Sequence, residues 1–116
     1  DSAEREIGAE LIREACLELL RQEVPHAIAV TIDEWLEERS PVEVQATVHV
    51  ERDSQKRIVV GQGGSMVAAI RRLAARKLTE LCGTPVRALH SLRVKHGTVT
   101  EWSHTPQSST HLDNPV

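Results

Sequence analysis

Glycines 61, 63 and 64 stand between a short apolar segment, Ile58-Val59-Val60, and an amphipathic run that begins at Ser65. Glycine has no Cβ atom to hold a ligand off the backbone, and it adopts positive φ without steric penalty. A glycine turn at the start of a helix points free backbone N–H groups and the positive end of the helix dipole at whatever it meets, and phosphate suits both. The spacing Gly61-Gln62-Gly63-Gly64 is G-x-x-G. Two other phosphate patterns come close and fail. A Walker A loop needs Lys and then Ser or Thr after its last Gly, but Gly64 is followed by Ser65-Met66. The dinucleotide fingerprint G-x-G-x-x-G finds Met66 where its third Gly belongs, and 116 residues are too few for a doubly wound sheet. The plain alternative is a glycine turn that only joins two helices.

Charge separates these readings better than the net value of −3. Residues 1–51 carry 4 basic and 13 acidic side chains, residues 52–97 carry 10 and 2, and residues 98–116 carry none and 2. The glycine turn thus lies in the basic stretch, as a phosphate-binding element should, while the acidic total opposes indiscriminate nucleic-acid binding. Lys56, Arg57, Arg71 and Arg72 are the cations nearest the turn in sequence. There is no Phe or Tyr, and only Trp35 and Trp102, so the ring platforms on which many RNA-binding folds stack bases are missing. Aliphatic side chains must serve instead, and Ile58, Val59, Met66 and Ile70 are candidates for a groove floor or for the core behind it.

Other chemistry is thin. The six histidines have no metal-ligand spacing, so no metal or cofactor is expected. His49 is expected to face solvent and His90 to be half-buried. Asp33, Glu34, Glu37 and Glu38 read as a solvated turn and not as an acid/base pair. Cys16 and Cys82 lack a C-x-x-C partner and read as reduced core or near-core thiols of a cytosolic protein. No apolar run reaches the roughly 18 residues of a membrane span, and the first residue is not Met, which suggests a piece of a longer chain.

The elements that must hold the turn follow from periodicity. Ile7, Leu11, Ala15 and Leu19 with Ile12, Cys16 and Leu20 predict an amphipathic helix over about 4–23, ended by Val24-Pro25. A strand is predicted over about 26–35 with Ile28, Val30 and Ile32 inward. A second follows over about 42–51, with Val42, Val44, Ala46, Val48 and Val50 on one face, and the short link makes the two antiparallel. Residues about 54–60 fit a strand or a short helix by periodicity alone, and Ser54 as an N-cap favours the helix. A longer helix is expected over 65–82, stopped by Gly83 and Pro85, with the stem of Lys77 lying along its apolar stripe. A last strand over about 86–95 follows, and residues 98–116 read as a disordered tail.

The order helix, strand, strand, short helix, glycine loop, helix, strand is the α-β-β-α-α-β order of a type II KH domain, an α+β fold with a three-stranded sheet packed by helices on one face. KH domains clamp single-stranded RNA with a G-x-x-G loop. Residues 1–97 resemble, more narrowly, the C-terminal KH domain of the Era family of ribosome-assembly GTPases. The likeness is carried by Glu10-Leu11-Ile12-Arg13-Glu14, Glu23-Val24-Pro25-His26, Val50-Glu51-Arg52-Asp53-Ser54-Gln55-Lys56, Ile58-Val59-Val60-Gly61, Ala75-Arg76-Lys77 and Leu92-Arg93-Val94-Lys95. It implies binding of single-stranded RNA near the 3′ end of 16S ribosomal RNA on the 30S subunit, with a separate N-terminal GTPase domain that is absent from these residues. It also implies a cytoplasmic protein that associates peripherally with the inner membrane. The chain departs from the family at Gln62, where Lys or Asn is frequent, at His90 and Ser91, and after Gly97. On this reading Gly61, Gln62, Gly63, Gly64 and Ser65 hold the RNA backbone, and the fragment itself is no enzyme. The rival from another class is a KH fold that has lost RNA and docks a protein through its acidic first half. A small nucleotide-dependent enzyme, the third possibility, has only the imperfect glycine pattern behind it.

Overall fold

The computed structural model describes residues 2–21 and 28–96. The expected order is present: α1 (Ser2–Leu20), β1 (Ala29–Leu36), β2 (Val42–Val50), α2 (Asp53–Val60), a single 3₁₀ turn at Gln62–Gly64, α3 (Ser65–Cys82) and β3 (Val86–His96). The sheet runs β1-β2-β3, antiparallel between β1 and β2 and parallel between β2 and β3. A parallel neighbour needs a crossover, and α2, the glycine turn and α3 supply it. The glycine turn is therefore the corner of a β-α-α-β connection, held from both sides.

Alternation along β2 builds the core. Val42, Val44, Ala46, Val48 and Val50 are all buried and form one cluster with Ile12, Ala15, Cys16 and Leu20 of α1, Val59 of α2 and Val67, Ile70, Ala74 and Leu78 of α3. Val86 and Val94 of β3 complete it, opposite Val42 and Val48. Ile7, the end of α1 and His49 depart from the sequence reading. Ile7 is 49% exposed, and the buried face of α1 starts at Gly8. The face is centred near Ile12 and Cys16, and Ile7 lies about 100° around the helix from Gly8. Gly8 is needed there, since a Cβ would sit 2.7 Å from the Trp35 ring. Second, α1 ends at Leu20 and not at 23: Arg21 turns to φ 57°, a left-handed conformation, while its N–H bonds Leu17 O at 2.9 Å. The Val24-Pro25 stop, the start of the first strand before Ile28 and the tail lie outside the described residues. His90 likewise lies among side chains outside the description.

The third correction is His49, expected in solvent but only 6% exposed. It sits on the central strand, on the face away from the apolar core, where β1 and β3 flank it on both sides. Its Nε2 is 2.9 Å from Thr31 Oγ1, and next along that face Thr47 Oγ1 donates to Asp33 Oδ2 at 2.7 Å. These cross-strand pairs link the two antiparallel strands and sit beside the register shift between Ile32 and Glu34.

Lys77 leaves the apolar stripe to cross to α1, where its Nζ meets Glu14 Oε1 at 3.1 Å and Glu18 Oε2 at 2.8 Å. Its hydrogen bonds to Glu18 and Glu14 raise its pKa above the ordinary lysine value. Because the folded value is raised, this contribution to stability is present below the unfolded lysine pKa of about 10.4 and is lost as pH climbs through the folded value. Both cysteines are free. Burial pushes the Cys16 thiol up to about 12, and burial followed by the charges of Glu4 and Glu37 raises that of Cys82. Thiolate, not thiol, is the nucleophile. A maleimide at neutral pH is therefore expected to label half-buried Cys82 slowly and to reach Cys16 only on unfolding. Two thiols reacting at one rate in the native state would contradict this packing.

Candidate nucleic-acid interface

α2 begins earlier than Ser54, with Arg52 at the N-cap and Asp53 as the first helical residue. The cause is Gln55, whose Oε1 accepts from both Glu51 N and Arg52 N at 3.0 Å and so occupies the start of the helix. A Gln three residues into a helix is a known capping signal, but it is normally sought behind Ser or Thr, and Arg52 hides it. The short helix presents Lys56, half-buried, and Arg57, exposed, and ends where Gly61 N bonds Arg57 O at 2.8 Å.

Gly61 has φ 77° and ψ 169°, a region open to glycine alone. A Cβ there would lie 2.6 Å from both the backbone N and the Cβ of Met66, so the loop is folded back directly onto the first turn of α3. Gly64 N closes the turn on Gly61 O at 3.1 Å. Gly63 (φ 62°) and Gly64 (φ 80°) are both left-handed, and a Cβ on Gly63 would meet nothing within 4 Å. The glycines divide the work: Gly61 is required by packing, and Gly63 leaves open space on the solvent side. No side chain caps the N-terminus of α3. Gln62, Gly63 and Ser65 are exposed, so the tip of the loop and the start of α3 form one accessible surface made largely of backbone.

The apolar candidates separate by burial. Val59 and Ile70 have no exposed surface and belong to the core behind the loop. Ile58 and Met66 are partly buried against that core and keep an exposed side. Of the cations, Arg71 is half-buried and Arg72 exposed. Arg57, Arg71 and Arg72 have no hydrogen-bond or ion-pair partner among the described residues, whereas Arg13 is bonded to Ile28 O, Arg39 to Glu43 and Lys77 to Glu14 and Glu18. Arg76 shares that freedom among the described residues and was not among the sequence candidates. Among the described residues there is no group of His, Cys, Asp and Glu able to hold a metal ion.

A family profile described as a KH domain matches residues 23–97. The chain belongs to the KH-domain family. Its element order and its sheet are those of the α+β type II KH fold, and it matches the KH region of Era GTPases. It is 39% identical over 105 residues to the GTPase Era of Mycoplasmopsis pulmonis, covering 87% of this chain and 36% of that protein. Identity to the GTPase Era of Mycolicibacterium smegmatis is 43% over 110 residues, covering 92% and 36%. Among solved structures, an Aquifex aeolicus Era variant bound to GDP and aluminium fluoride overlays with a TM-score of 0.73 at 30% identity, over 90% of this chain and 35% of that one. Era in complex with MgGDPNP and nucleotides 1506–1542 of 16S ribosomal RNA overlays equally, with a TM-score of 0.73 at 30% identity over 90% and 34%. The KH chain thus spans about a third of the length of these relatives, and no P-loop sequence occurs within its 116 residues. No helix of the described residues is long and apolar enough to cross a membrane.

Proposed function

We propose that this KH domain binds single-stranded RNA through the Gly61–Gly64 loop, as part of an Era-type protein that recognises the 3′ region of 16S ribosomal RNA during assembly of the 30S subunit. The observation that carries the reading is the likeness to an Era protein complexed with nucleotides 1506–1542 of that RNA. The local geometry supports it. Gly61, Gln62, Gly63 and Gly64 let phosphates approach the backbone, the uncapped start of α3 at Ser65 adds its partial positive charge, and Arg57, Arg71 and Arg72 are cations without a partner among the described residues. Lys56 adds longer-range attraction. Ile58 and Met66 offer an apolar rest for bases, with Val59 and Ile70 fixing that floor from behind. Bases are read at their Watson–Crick edges by backbone and side chains lining the groove. GTP hydrolysis and peripheral membrane association belong to the whole protein in this reading, in the cytoplasm.

A groove for about four nucleotides neutralises roughly two to four phosphates, so log K against log[salt] is expected to fall with a slope of about −1.5 to −3. Titration of the chain with a single-stranded piece of nucleotides 1506–1542 at several salt concentrations measures it. A flat profile would favour a protein-docking module, the reading to which neutral Gln62 and the acidic first half lend weight.

A further inference from the structure

Along α3, Ser65, Ala69, Arg72 and Arg76 are spaced four, three and four residues apart and fall on one stripe, opposite the buried row Val67, Ile70, Ala74 and Leu78. Ser65, Arg72 and Arg76 are exposed. Their spacing sets Arg72 and Arg76 side by side, with Cβ atoms about 5–6 Å apart. They lie about 10 and 16 Å along the axis from the start of the helix. Neither guanidinium has a partner among the described residues, although Lys77, the next residue, is taken by Glu14 and Glu18. α3 carries no carboxylate before Glu80, so nothing on this helix neutralises the stripe over most of its length. Ala69, between the loop and the arginines, is small and leaves the helix surface low, so that a chain of phosphates can lie close to it.

We propose that the stripe is a second phosphate track, continuous with the loop, along which an RNA strand leaving the Gly61–Gly64 clamp runs over Ser65 and then Arg72 to Arg76. The occupant is fixed by charge complementarity and by continuity with the loop: planar guanidiniums spaced along a helix take successive phosphates by forked hydrogen bonds. Bases are not held, so the track adds affinity and footprint without adding sequence preference. The inference rests on the RNA reading of the loop, and adds Arg76 to the surface that contacts RNA.

The test compares a four-nucleotide RNA with the same RNA extended at its 5′ or its 3′ end by six abasic sugar-phosphates, which supply charge but no further bases. Binding is followed by fluorescence anisotropy. One of the two extended strands is expected to bind the unaltered chain about 10-fold more tightly than the short RNA, with a salt slope steeper by about 0.7 for each phosphate gained. Arg76→Gln should weaken that extended strand about 3- to 10-fold and flatten its slope by about 0.7, yet leave the four-nucleotide RNA unchanged. Arg76→Lys should retain most of the slope. Equal binding of short and extended strands, or an extended strand indifferent to Arg76→Gln, would overturn the track while the clamp stands. Binding of no RNA by the unaltered chain would overturn the RNA reading, and the track with it.

Discussion

A chain carrying Gly63→Asp and Gly64→Asp is expected to keep its fold and to lose single-stranded RNA, with affinity falling at least about 100-fold, or about 2.7 kcal/mol. Two carboxylates would then face phosphates at contact distance. The fold survives because a side chain on Gly63 enters open space and because Asp is among the residues that visit the left-handed region. The backbone cost is about 1–2 kcal/mol per site. Acidic groups beside the N-terminus of α3 recover part of it, about 0.3–1 kcal/mol each. Native circular dichroism with RNA affinity intact would show that the loop is not the clamp.

The opposite separation is expected at Gly61. Gly61→Ala should destabilise the domain by roughly 3 kcal/mol or more, because a non-glycine residue at φ 77° and ψ 169° is strained by about 1–3 kcal/mol before any overlap is counted. The new methyl would also lie 2.6 Å from the Met66 backbone nitrogen, an atom of α3 that cannot swing aside as a side-chain tip can. The corner between α2 and α3 must open, and with it the packing of Ile58 and Met66. Urea denaturation should show a midpoint well below that of the unaltered chain. An unchanged midpoint would mean that the loop is not folded onto α3 as described.

How legible these roles were in sequence differs from residue to residue. The valines of β2, the glycine stop at Gly83 and the bounds of α3 were readable because single-residue alternation and helix punctuation are local properties. That Gly61 is a packing requirement and Gly63 is not could not be read, since both are glycines in one motif and only the approach of Met66 distinguishes them. His49 was misplaced because alternation assigns it to the polar face without revealing that a central strand buries polar residues between its neighbours. The true start of α2 was masked by Arg52 at the N-cap, with the capping oxygen coming from Gln55. Val59 and Ile70 could be separated from Ile58 and Met66 only by burial. Paired cations and those without a partner among the described residues look alike in sequence: Arg76 and Lys77 are adjacent, and it is the distance to Glu14 and Glu18 that sets them apart.

The most direct test of the clamp is a two-dimensional ¹⁵N–¹H titration of the chain with a single-stranded piece of nucleotides 1506–1542 of 16S ribosomal RNA. The largest amide shifts are expected at Gly61, Gln62, Gly63, Gly64, Ser65 and Met66, with smaller changes at Arg57, Ile58, Arg71 and Arg72 and little along the acidic face of α1. Shifts concentrated on Glu6, Glu10 and Glu14 with the loop amides unmoved, or no shifts at all, would contradict an RNA clamp built from the glycine loop.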